Sequence, residues 1–258
     1  MNDLIAQLMQ AAGVTQDWLW PAALVFLRVG AAMALMPAFG EQVVPQRVRL
    51  VLAVAFTAIV LPAVAGDMQP LPALPLAAAA EVLAGLGLGI GLRLFVLALQ
   101  TAAAIVAQTT SLSQLFAGAT PEPQPAIGNL LTMASLALAV QAGLHVRAAS
   151  LLVMSYDIWP AGRFPAAADL AHWGLERVVA ATVLALSLAA PFVIGSVIYN
   201  VALGVINRAM PQMPVSLVGA PLMTGAALVL MALTTPLILA IWLQGFNAFL
   251  ANPTLVAP

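Results

Sequence analysis

Long apolar runs, interrupted by almost no charge, leave this chain without the polar surface that a globule in water requires. Of its 258 residues, 63 % are hydrophobic and 7 % are charged, where a soluble domain carries roughly 25 % charged residues. Mean hydropathy is +1.06. The apolar residues must therefore face lipid, other subunits, or both. A helix needs ~20 apolar residues to cross a bilayer core of ~30 Å. About six runs qualify: Trp18 to Phe39, Leu50 to Gly66, Val82 to Ala107, Asn129 to Met154, Leu175 to Ile206 and Val215 to Leu250. The expectation is an all-α integral membrane protein. Its six or so long hydrophobic helices are partly broken by proline, arranged as packed helical hairpins, and form a single membrane domain over residues 1–258.

The runs are uneven. At ~1.5 Å per residue the second reaches only ~25 Å, and the last two reach roughly 50 Å if unbroken. Pro191, Pro221 and Pro236 are the expected breaks, because proline removes a helix hydrogen bond and clashes with the preceding turn. Helices of such lengths suit packing against other subunits. The junction Glu41 to Arg49 is polar, with Pro45, Arg47 and Arg49. Asp67 to Pro75 is proline-rich, and Gln108 to Gly128 is a long loop with Pro121, Pro123 and Pro125. Asn207 to Pro214 turns tightly between the two longest runs, enforced by Pro211 and Pro214.

Several function classes fall on inventory. The 8 basic residues, all arginine, face 9 acids for a net charge of −1, so no basic stripe marks a nucleic-acid footprint. With no cysteine, thiolate metal sites and nucleophiles are excluded. His145 and His172 are not at metal-ligand spacing. No G-x-S-x-G elbow or H-E-x-x-H occurs, and Ser111, Ser113 and His145 lack the flanks of an intramembrane serine protease. No enzyme and no cofactor are expected. A stand-alone transporter of a small molecule or ion is the alternative, with Gln100, Gln108, Gln141 and Asn200 as polar candidates. Acidic groups within the spans are nearly absent, Glu81 standing at a span's edge, and no inverted repeat supports it.

Two arginines interrupt apolar runs, where a charge costs roughly 2.5–3.5 kcal/mol at mid-bilayer depth. Arg28 calls for a buried partner or a polar lumen, or else snorkelling; Arg93 reads as a snorkelling residue. Gly85, Gly87, Gly89 and Gly91 alternate within the third run. The pairs Gly85/Gly89 and Gly87/Gly91 are small-xxx-small spacings, which let another helix approach closely.

Two separated stretches carry a family resemblance. Val44-Pro45-Gln46-Arg47-Val48-Arg49-Leu50 resembles the V-P-x-R-V-[KR] junction after the first helix of FliR-family export proteins. Gly204-Val205-Ile206-Asn207-Arg208-Ala209-Met210-Pro211-Gln212-Met213, followed by Val218-Gly219-Ala220-Pro221-Leu222, resembles that family's N-R-x-x-P-Q turn and downstream G-x-P-[LI] motif.

The resemblance implies a structural subunit of the flagellar type III protein-export gate. FliP- and FliQ-like subunits would form the channel with it, FlhB- and FlhA-like components would complete the apparatus, and unfolded flagellar proteins would pass through. The place would be the bacterial inner membrane, in contact with its lipid, at the flagellar basal body. Residues 1–174 would correspond to a FliP-like part and 175–258 to a FliQ-like long hairpin. The middle loop 111–128 would act as plug, with Leu115, Phe116, Gly118 and Pro121 as its candidates. Its stretch Gln114 to Glu122 departs from the family's F-x-D-P form. Pro45, Arg47, Arg49, Asn207, Arg208 and Pro211 would hold turns and meet partner subunits; the four glycines and Pro221 would serve helix packing.

Overall fold

The computed structural model describes residues 16–68, 74–109, 126–210 and 215–254. Among these are seven α-helices and one 3-10 turn, and no strand. We number the helices α1 (Gln16–Leu35), α2 (Gln46–Val64), α3 (Leu74–Thr109), α4 (Ala126–Gln141), α5 (Leu144–Ile158), α6 (Ala167–Ala209) and α7 (Val215–Ala251). Five of them are long and apolar enough to cross a membrane, and α4 with α5 supplies a sixth span if taken together. The all-helical membrane architecture read from the runs is what the chain forms.

The helices end where backbone chemistry dictates. Pro45 precedes α2 with φ −58°, its natural value, and its missing N–H costs nothing at a helix start. The 3-10 turn Ala65–Asp67 follows α2 and closes with Met68 N–H donating to Ala65 O at 3.3 Å. Hydroxyls inside the apolar helices bond back to their own turn: Thr57 to Ala53 O at 2.7 Å and Ser135 to Thr132 O at 2.8 Å. That local bond lets a hydroxyl lie in a greasy helix without an external partner.

Two expectations about breaks need correction. The helical backbone runs without interruption through Pro191 in α6, and through Pro221 and Pro236 in α7. Proline leaves one carbonyl without its donor, whereas opening the helix in an apolar setting would strand several. The break occurs instead inside the fourth run, expected to be one segment. There Gly143 takes the left-handed conformation at φ +82°, open to glycine at little cost. Ala142 N–H closes α4 on Leu138 O at 2.8 Å, and Val146 N–H opens α5 on Gly143 O at 3.0 Å.

The chain divides into two compact units. The first comprises Met1–Arg93, Gly143–Glu176 and Ala248–Val256. In it α2 packs on α1 and on α5, and the fully buried stripe Val25, Val29, Ala32 and Met33 of α1, continued by Met36 just past its end, follows the 3.6-residue period. The second comprises Leu94–Ala142, Arg177–Asn247 and Ala257–Pro258. Its core holds Trp242 stacked on Phe246, with ring centroids 4.8 Å apart, and Phe95 edge-on to Phe246 at 5.7 Å. Trp242 Nε1 donates to Phe95 O at 2.8 Å, which satisfies the indole N–H that burial would otherwise strand.

Candidate functional site

The most polar place in the first unit is also among its most deeply buried. Arg28, halfway along α1, is 1 % exposed, and Glu81, on α3, is 0 % exposed. Arg28 Nε donates to Glu81 Oε2 at 2.7 Å, and Arg28 Nη2 donates to Oε1 at 3.2 Å. This two-pronged arrangement matches the planar guanidinium to the planar carboxylate. Two further donors are used: Nη1 reaches Ser155 Oγ at 3.1 Å, and Nη2 reaches Trp159 O at 2.9 Å.

Glu81 is saturated as well. Gly162 N–H donates to its Oε1 at 2.8 Å, and Tyr156 OH to its Oε2 at 3.4 Å. The Tyr156 ring lies 3.7 Å from the guanidinium carbon, adding a cation–π contact. The cluster is charge-balanced, and it ties α1, α3, α5 and the turn after α5 to one point. Ser155 and Tyr156 have their hydroxyls committed to it, so it offers structure rather than reactivity.

A second polar node holds the junction between α1 and α2. Arg49 donates to Phe39 O at 3.3 Å and to Glu41 O at 3.0 Å. Arg93 of α3 pairs with the Glu41 carboxylate, both half-buried. Gly40 N–H bonds Met36 O at 2.7 Å, and a Cβ on Gly40 would meet Ala34 O at 2.5 Å. The turn is thus closed by two arginines and admits no side chain at Gly40.

The four alternating glycines serve two faces of α3. Gly85 and Gly89 lie against α1: an added Cβ on Gly85 would strike Arg28 O, and one on Gly89 would approach Ala32 O at 2.7 Å. Gly87 and Gly91 lie against aromatic rings: an added Cβ on Gly87 would meet Trp159 at 3.5 Å, and one on Gly91 would run into Phe249. Trp159 meets Trp173 edge-on at 5.5 Å, and Trp173 Nε1 donates to Pro253 O at 2.8 Å. The close approach of α1 at Gly85 brings Arg28 within reach of Glu81, one turn earlier on α3.

Residues 19–249 match the family described as bacterial export proteins, family 1. The chain is 35 % identical over 247 residues to the flagellar biosynthetic protein FliR of Caulobacter vibrioides, covering 93 % of this chain and 98 % of the relative. It is 30 % identical over 226 residues to the flagellar biosynthetic protein FliR of Escherichia coli, covering 86 % and 85 %. The chain belongs to the FliR family.

Within this FliR-family membrane protein the motif residues have different surroundings. Pro45 caps α2, Arg49 holds the preceding turn, and Arg47 is exposed. Arg208 is exposed in the last turn of α6, where a cation complements the helix dipole. Leu115, Phe116, Gly118, Pro121 and Pro211 lie outside the described residues, as do the side chains of Asn207 and Pro221. Gln100, Gln108, Gln141 and Asn200, the polar candidates for a transporter, are all exposed and gather into no buried site. Among the described residues no three of His, Cys, Asp and Glu are grouped to hold a metal ion.

Reading the sequence missed the most buried acid. The apolar run beginning at Val82 puts Glu81 at a span's edge, whereas α3 starts at Leu74 and carries Glu81 two turns inside. The available signal was only partial: one arginine deep in an apolar run needs a carboxylate, and Asp67, Glu81 and Glu176 all stand at the ends of other runs.

Proposed function

We propose that this FliR-family chain is a structural subunit of the flagellar type III export gate. It builds the protein-conducting channel together with FliP- and FliQ-like subunits, in the inner membrane at the basal body. FlhB- and FlhA-like components complete the apparatus, and unfolded flagellar proteins are the cargo. The observation that carries this reading is the alignment with two flagellar biosynthetic FliR proteins, along 98 % and 85 % of their lengths. The exposure of the long helices supports it. Only 22 % of the span in α6 and 17 % of that in α7 are buried within the chain, against 50 % of that in α3. Apolar surface on that scale needs lipid or neighbouring subunits to cover it.

In this reading residues 175–258 form the FliQ-like hairpin, 1–174 the FliP-like part, and loop 111–128 the plug. Pro45, Arg47, Arg49, Asn207, Arg208 and Pro211 shape turns that meet partner subunits. The chain binds no cofactor and catalyses nothing.

Native mass spectrometry of the tagged chain, produced with and without its FliP- and FliQ-like partners, tests the assignment. One defined hetero-oligomer containing all three, with poor recovery of the chain alone, is the expected result. A well-behaved species that ignores both partners sinks it.

A further inference from the structure

Within the first unit, α2 and α5 turn opposite kinds of surface outward. Beyond Arg49 every exposed residue of α2 is apolar, with Leu50, Val51, Val54 and Ile59 the largest. On α5 the buried stripe is Leu144, Ala148, Leu151, Leu152 and Ser155. Opposite that stripe Arg147, Ser150 and Asp157 are exposed and, at about 100° per residue, fall within about 80° of one another. A helix with one apolar stripe and a charged opposite face is built to lie between a core and water.

The depth of this polar strip is set by the buried ion pair. Ser155 Oγ and Trp159 O accept from Arg28, and Gly162 N–H donates to Glu81. So α5 ends, and the chain turns, at the level of Arg28. The apolar span of α1 runs from Trp18 to Leu35, which puts that level roughly 15 Å from one end and roughly 10 Å from the other. There the backbone from Trp159 to Ala166 is not helical, and Arg163 is exposed; Asp169 and His172 follow, exposed, at the start of α6. Among the described residues Arg147, Asp157, Arg163 and Asp169 make no ion pair.

We propose that the first unit has one wetted side. Water reaches the middle level of α1 along the polar face of α5 and the turn after it, while the exposed face of α2 lies against lipid or a neighbouring subunit. Hydrocarbon is a poor medium for this strip, because non-helical backbone at membrane depth is tolerated only where protein or water meets it, and each unpaired charge adds its own cost. A covering subunit would have to supply a partner for every one of these charges; water satisfies them all. The wetting stops at the turn, since Arg28 and Glu81 beneath it are 1 % and 0 % exposed. The inference is independent of the export-gate reading. Wetting is read position by position on this chain, and gate assembly is read from its partners, so either can fail without the other.

The chain has no cysteine, so single-cysteine variants report one position each. Ser150→Cys, Asp157→Cys, Arg163→Cys and Val54→Cys of the full chain, in opened native membranes with its partners present, are treated with a charged, membrane-impermeant thiosulfonate. Each rate is scaled to that of the same variant unfolded in detergent. The first three should react readily and Val54→Cys about tenfold or more slowly, because a thiol in apolar surroundings is held in its unreactive protonated form. Protection of Asp157→Cys and Arg163→Cys overturns the proposal, and so does equal reaction at Val54→Cys, which would leave no dry side. Recovery from membranes gives a second reading that needs no labelling. Ser150→Glu should be recovered like the unaltered chain, and Val54→Glu should lose several-fold; equal loss at Ser150→Glu overturns the proposal.

Discussion

Arg28 and Glu81 are each expensive alone in an apolar interior and tolerable only together. Removing one partner of such a buried pair typically costs about 3–5 kcal/mol, while replacing both with apolar residues of similar volume is often neutral. Glu81→Ala and Arg28→Ala should each lower the melting temperature of the solubilised protein sharply, and Arg28→Met with Glu81→Leu should recover most of the loss. Fluorescence-detected thermal unfolding of the three variants decides it; equal loss in the double variant would show that the pair's remaining bonds, to Ser155, Trp159 and Gly162, matter more than charge balance. The arginine half of this cluster was visible in the sequence as a charge inside an apolar run. The carboxylate half was hidden by Pro70, Pro72 and Pro75, which read as a loop although Pro75 lies in the first turn of α3, where proline is at home.

At the level of the helix, identical residues two positions apart have unequal roles. Gly85→Ala and Gly89→Ala force a methyl into the α1 backbone and should destabilise by about 1–3 kcal/mol. Gly87→Ala meets Trp159 at ordinary contact distance and gains up to about 1 kcal/mol of helix propensity, so it should be neutral or better. A three-variant thermal series separates them, and equal damage at Gly87 would refute the two-face account. Gly143→Ala must bear a left-handed backbone at φ +82°, about 1–2 kcal/mol, and should raise amide exchange at the start of α5. The small-xxx-small spacing was legible, and so was the helical class. The positions of breaks were not, since proline is the louder signal in sequence. Here each proline removes one bond from a long helix, while a single glycine between α4 and α5 redirects the backbone.

Across the whole molecule, the apolar runs declared a membrane protein, and the two long final helices bury only 22 % and 17 % of their spans within the chain. Their exposed Val, Leu and Ile residues, from Leu175 to Val205 on α6 and from Leu222 to Ile241 on α7, are what a self-sufficient fold would have buried. The chain's own contacts thus account for the neighbourhood of Arg28 but not for α6 and α7, and sequence alone could not say what covers them. Polar replacement of two such residues on α6, Ile198→Asn with Val201→Asn, should leave the Arg28 region's amide-exchange protection intact and abolish recovery of the hetero-oligomer; intact recovery would mean that this face meets lipid. The ion pair has a further bearing on biosynthesis. Arg28 emerges from the ribosome 53 residues ahead of Glu81, and Ser155 follows 127 residues after Arg28. The first helix therefore enters the translocon with its charge uncompensated. Until α3 arrives, releasing that helix into lipid costs roughly 2.5–3.5 kcal/mol for the unpaired charge, a cost that release together with α3 avoids.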